Sequence, residues 1–106
     1  MKLLSGIIAA AALTLSTQAF AVDMAAGKAL AQKSGCLACH SVEKKIVGPA
    51  YKDIAAKYKG DKKAEAMLIA KVEKGGSGTW GPVPMPANPK VAPADVKTLV
   101  EWVLAQ

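Results

Sequence analysis

The stretch 34-SGCLACHSV-42 holds both cysteines and the only histidine of a 106-residue chain. Cys36, Cys39 and His40 fall within five consecutive positions. What three such donors do depends on the compartment they work in, and the amino terminus bears on that. Lys2 precedes an apolar run, LLSGIIAAAALTL, residues 3–15. Polar residues and Ala19-Phe20-Ala21 follow, an A-x-A pattern. This is the layout of a secretory signal peptide, and the run is shorter than the roughly 20 apolar residues that cross a bilayer. Cleavage is expected after Ala21, so that 1–21 is a leader and 22–106 the mature domain, exported and not stably inserted in a membrane.

The remaining length allows one small domain. A domain of this size buries little surface and commonly needs a disulfide, a metal or a bound group to complete its core. Alanine is abundant and aromatic residues make up 5%. Phe20, the only phenylalanine, leaves with the leader. The core is therefore short of bulk. The net charge is +6, of which one unit leaves with Lys2. All the basic residues are lysines. That excess draws acidic partners. An exported chain with no arginine and few aromatics is not expected to bind nucleic acid.

The apolar spacing predicts an all-α fold of about four short helices. Asp23 caps a first helix to about Lys33, with Ala26, Ala29 and Leu30 on its inner side and Gly35 at its exit. Residues 50–58 place Ile54 and Tyr58 on one face of a second helix, ended by Gly60. Asp61 caps a third to about Lys74, with Ala64, Leu68, Ile69 and Val72 inward and Gly75 and Gly76 as its stop. Pro93 opens the fourth. There Val96, Leu99, Val100, Val103 and Leu104 recur at i, i+3, i+4, i+7 and i+8. Residues 75–92, GGSGTWGPVPMPANPKVA, form a long irregular connection, and such loops in small domains are usually functional or disordered. The fourth helix cannot bury its stripe alone. The loop is therefore expected to pack back on the domain and to carry something the domain needs.

Cys36-Leu37-Ala38-Cys39-His40 reads C-x-x-C-H, the attachment signal of c-type haem. Two thiols two residues apart can add to the two vinyl groups on one side of a porphyrin, and the next residue then sets its imidazole under the iron. Other readings compete. A dithiol redox pair also uses C-x-x-C but belongs in a βαβ context. A structural disulfide suits export but leaves His40 idle. Structural zinc needs four ligands, and no second Cys or His pair exists. Export, small size, helical pattern and a bulk-poor core favour one covalently bound haem c.

A second iron ligand must come from methionine, since no second histidine exists. Met24 lies too near His40 in sequence to reach the far face, and Met67 is mid-helix, where a core role suffices. Met85 lies between Pro84 and Pro86 in the long loop, and prolines on both sides stiffen the chain there. His40 with Met85 would fill both axial positions and leave the iron to exchange electrons, the neutral thioether raising the potential. The expected function is one-electron transfer rather than enzyme catalysis. The alternative is a haem enzyme or small-ligand sensor in which Met85 leaves easily. A haem-free dithiol oxidoreductase would be colourless.

From Cys36 onward the chain resembles the small bacterial class I cytochromes c of the c-551/c-552 group. The blocks CLACH, VGPAYKDIAAKY, GGSGTWGPVPMPAN and LVEWVLAQ carry the likeness, in order and spacing. It implies a cytochrome c fold wrapped around one covalent haem, with an exposed edge, in a periplasmic monomer. It also implies residue roles. The Pro49 carbonyl accepts from His40 Nδ1–H, Asn88 directs its amide at the Met85 sulfur, and Trp80 donates its indole N–H to a haem propionate. Lys71, where many relatives carry arginine, pairs with that propionate without bidentate geometry. Trp102 is expected in the core against the first helix. Ala92 stands where relatives often have a capping serine, which costs roughly 1 kcal/mol. Lys33, Lys44, Lys45 and Lys90 lie near the segments that flank the haem edge and are expected to steer acidic redox partners. Partners of the implied kind are a quinol-oxidising complex on one side and a nitrite reductase, peroxidase or terminal oxidase on the other.

Overall fold

The computed structural model describes Gly6 and residues 22–106; the proposed leader and its cleavage point after Ala21 lie outside the described residues, apart from Gly6. Four α-helices and one 3₁₀ turn follow in order: α1 (Met24–Lys33), the turn Cys36–Ala38, α2 (Tyr51–Lys57), α3 (Ala64–Lys74) and α4 (Pro93–Leu104). Among the described residues there is no strand, only two isolated bridges, His40 with Lys45 and Gly76 with Met85. No helix among them is long and apolar enough to cross a membrane.

Helix α4 is the hub and packs against α1, α2 and α3. Its apolar stripe explains why: Val96, Leu99, Val100 and Trp102 are buried. Pro93 occupies its first turn, where the missing N–H costs nothing. Its N-cap, Ala92, has no side chain that can accept a hydrogen bond, as the sequence implied.

Helix α1 starts where Asp23 accepts from the Ala26 N–H at 2.9 Å. Its inner face differs from the one expected. Ala26 and Ala29 are exposed, whereas Gly27 and Ala31 are buried and Leu30 is half-buried. The reason is Trp102. A Cβ at Gly27 would collide with the Trp102 side chain, so the helix turns its glycine, not its alanines, toward α4. Trp102 itself is 2% exposed, which places it against the first helix as expected.

Helix α3 also begins later than Asp61. That carboxylate accepts from the Lys63 N–H at 2.9 Å, a bond to the residue two positions on that makes a local turn. The helix proper starts at Ala64 with no side-chain cap. Gly35, Gly60 and Gly75 all follow helices with positive φ, at 77°, 76° and 70°, values that cost glycine least; Gly35 is left-handed helical, whereas Gly75, at ψ −164°, is extended in the mirror sense.

Candidate functional site

The turn after α1 aims the cysteine segment inward. The Cys36 carbonyl accepts from the N–H groups of Cys39 (3.2 Å) and His40 (3.0 Å). This closes one tight turn and brings Cys36, Cys39 and His40 to the wall of the same cavity. Both thiols are free and half-buried. Burial pushes the Cys36 thiol up from its ordinary value, partly opposed by a hydrogen bond with Tyr51. The Tyr51 hydroxyl is raised in turn, first by burial and then by its cysteine neighbours.

His40 is held from several sides. The Cys39 carbonyl accepts from both Val47 N–H (3.2 Å) and Gly48 N–H (2.8 Å), which folds the next segment back over the ring. That fold sets the Pro49 carbonyl 2.8 Å from His40 Nδ1. With Nδ1–H donating there, Nε2 is the ring nitrogen left for another partner. Tyr51 stacks on the imidazole at 4.8 Å between centroids and 20° between planes. Trp102 meets Tyr51 edge-on at 5.3 Å. Gly48 is required: a Cβ there would lie 2.5 Å from His40 Cε1. His40 is 8% exposed.

Met85 reaches the same cavity from the 75–92 loop. The loop is pinned rather than loose. Gly76 and Met85 exchange two backbone hydrogen bonds, at 3.0 and 2.9 Å. Asn88 N–H donates to the Val72 carbonyl at 3.1 Å, so the loop does fold back on α3. A Cβ at Gly75 would strike the Met85 carbonyl, and φ there is +70°. Two features therefore keep this position as glycine. Of the methionines in the described residues, Met67 and Met85 line the cavity and Met24 does not.

The surrounding positions fall as follows. Trp80 and Lys71 line the cavity. Lys57 Nζ sits 4.7 Å from the Trp80 ring centroid. Lys71 Nζ packs beside Gly76. The Asn88 amide, expected to point at the Met85 sulfur, instead donates to two carbonyls, Val72 at 3.1 Å and Pro86 at 3.3 Å, because the loop's return to α3 brings those acceptors to it. Tyr51, Gly48 and Gly75 were not singled out as site residues by sequence. Only the run VGPAY, placed just after the motif, hinted at the first two.

The cavity amounts to about 250 Å³, several times the roughly 30 Å³ share of one water. Ile54, Leu68, Val72, Leu99 and Val103 supply apolar wall between the histidine and the methionine. Among the described residues no group of three or more His, Cys, Asp or Glu could hold a bare metal ion. Two thiols, one imidazole nitrogen, two thioethers and largely apolar walls suit a large apolar macrocycle with a metal at its centre. They do not suit a hydrated cation.

Comparison with known proteins agrees with that chemistry. The family model for cytochrome c matches residues 24–106. Cytochrome c-551 of Allochromatium vinosum is 65% identical over 75 residues, covering 71% of this chain and 80% of that protein. Cytochrome c-552 of Nitrosomonas europaea is 53% identical over 75 residues, 71% of this chain and 73% of that one. The crystal structure of Nitrosomonas europaea cytochrome c552 superposes with a TM-score of 0.71 at 51% identity, covering 74% of this chain and 96% of the other. The class 1 cytochrome MtoD of Sideroxydans lithotrophicus gives 0.69 at 40% identity, covering 80% and 97%.

Proposed function

The chain belongs to the cytochrome c family, a haem c electron carrier and not an enzyme, and on that premise we propose that Cys36 and Cys39 hold the haem while His40 and Met85 take its two axial positions. The observation that carries this reading is the cavity itself, where the C-x-x-C-H turn and the Met85 loop meet across apolar walls. The haem iron, when bound, supplies a reversible one-electron couple. The chain's residues do the rest.

Cys36 and Cys39 fix the group through sulfur. His40 presents Nε2, because Nδ1 is committed to Pro49 O, and that bond fixes the tautomer and strengthens the donor. Met85 is preferred to Met67 because its backbone is doubly bonded to Gly76 and flanked by two prolines. Met67 sits on α3 with its side chain largely at the surface, 43% exposed. Asn88 acts by tying the Met85 loop to α3 through Val72 and Pro86. Trp80 and Lys71, which line the cavity, would supply an indole N–H and positive charge to the haem propionates. Were His40 and Met85 both to ligate the iron, they would leave it no open site for a substrate, and their backbone supports would keep rearrangement on electron exchange small.

Export to the periplasm, with cleavage after Ala21, belongs to the same reading. It supplies the compartment in which C-x-x-C-H is loaded with haem. The partners are redox proteins with acidic faces. Lys33, Lys44, Lys45 and Lys90 are all exposed, and the backbone of Lys45 lies beside that of His40 in an isolated antiparallel bridge. Acid–acetone extraction of purified protein tests the attachment. The account expects the colour to stay with the peptide, and mapping to place the added mass on the segment containing Cys36 and Cys39. Pigment that separates completely from the polypeptide would end it.

A further inference from the structure

Away from the haem cavity, Val22 shares a cleft with acidic side chains of two helices. It packs against the hydrophobic core and lines a shallow cleft with Glu65 of α3 and Lys97, Glu101 and Leu104 of α4. Glu65 and Glu101 are both half-buried. Glu101 is pushed above the ordinary carboxylate range, by burial first and then by the neighbouring Glu65. Lys97 offsets this only in part, at 4.0 Å from Glu101 and on an exposed stem. Asp23, the remaining charge on this segment, is engaged as the cap of α1. The cleft therefore brings two like charges together, with one incomplete counter-charge, beside the residue at which the proposed processing step would end the chain.

We propose that, once the leader is removed after Ala21, the new α-ammonium group of Val22 becomes the counter-ion of the Glu65–Glu101 pair and fastens the amino-terminal segment to the α3–α4 face. In the unprocessed chain this nitrogen is an uncharged amide. Removal of the leader thus changes a site of like-charge repulsion into a three-way ion pair, and the mature fold gains stability from its own maturation. The inference rests on the cleavage reading above but not on the haem assignment.

The sign of the pH dependence follows. An ammonium stabilised by two carboxylates titrates above its unfolded value of about 7.7–8.0. Its stabilisation is complete below that value and is lost as pH rises through the folded one. Glu101 works in the opposite sense: with the ammonium in place its carboxylate is favoured, and the pair separates when the acids are protonated.

The test uses exported, haem-loaded protein. Amino-terminal sequencing must first give Val22; any other start overturns the proposal together with the cleavage reading. The α-amine is then titrated by NMR in the native protein and in Glu65→Gln/Glu101→Gln. We expect a native value raised by about half a unit to one unit, returning to the ordinary range in the double variant. Selective α-amine acetylation should shift the unfolding equilibrium about three- to ten-fold toward the unfolded state in the native protein, and not in the double variant. Should the double variant not fold, Glu65→Gln alone must lower the titration value. A native α-amine that titrates in its ordinary range, or acetylation equally costly in both proteins, overturns the proposal and leaves the cleavage reading intact.

Discussion

His40 has little freedom in this fold. Nδ1 is tied to Pro49 O, Tyr51 covers one face, and Gly48 leaves no space beside Cε1. Gly48→Ala is therefore expected to push the ring off its axis. Replacing glycine by alanine commonly gains about 0.4–1 kcal/mol through the unfolded chain, whereas overpacking costs about 1–3 kcal/mol. The clash wins, so urea unfolding of the haem protein should show a net loss, accompanied by altered imidazole resonances. An unchanged midpoint and spectrum would show that the ring has room the geometry denies. That Cys36, Cys39 and His40 share one cavity wall was legible in the sequence, because the C-x-x-C-H spacing puts all three on a single turn. Tyr51 and Gly48 were not, because their contacts with His40 exist only after the Cys39 carbonyl folds residues 47–48 back. Asn88 is a case between. Its position in the Met85 loop was readable, but its amide bonds to Val72 and Pro86 depend on where α3 lies.

At the scale of the helices, two substitutions have opposite expected signs. Ala92→Ser supplies the missing acceptor at the start of α4 and should add about 1 kcal/mol, seen as a melting point about 4–8 °C higher for a domain of this size. Gly27→Ala should destabilise, although alanine is the better helix former by about 1 kcal/mol. Its Cβ would occupy space held by the buried Trp102 ring, and calorimetry should show a lower melting point. A rise would mean that α1 slides along α4 without penalty. The helices themselves were readable from apolar spacing and from glycine and proline stops, and α4 most clearly. The inner face of α1 was not. Periodicity counts side chains, and here the buried position is one with none, chosen by a tryptophan 75 residues away in sequence. Asp61 misled for a local reason, since its carboxylate can close a turn as readily as cap a helix.

At the scale of the whole molecule, the core is arranged around the cavity. The buried apolar set is small and includes Ala31, Ala50 and Ala64, as a bulk-poor composition implied. A Cys36→Ala/Cys39→Ala chain that receives no haem is expected to lose cooperative thermal unfolding, because what remains is too little to order a domain of this length. Near-native calorimetry of that variant would refute the idea that the bound group completes the core. Charge acts at the same scale. With a net charge of +6 on the full chain and exposed lysines beside the motif, the bimolecular electron-transfer rate with an acidic partner should fall steeply as salt rises. Lys44→Gln/Lys45→Gln should weaken that dependence. A rate indifferent to ionic strength would remove the steering role.

The claim on which all three scales depend is that protein donors occupy both faces of the iron. Carbon monoxide binding to the reduced protein, compared with Met85→Ala, tests it most directly. The native visible spectrum should be left nearly unchanged by carbon monoxide, whereas the Met85→Ala spectrum should be altered at rest and shift promptly on exposure to the gas. Identical spectra and identical gas binding in the two proteins would contradict it.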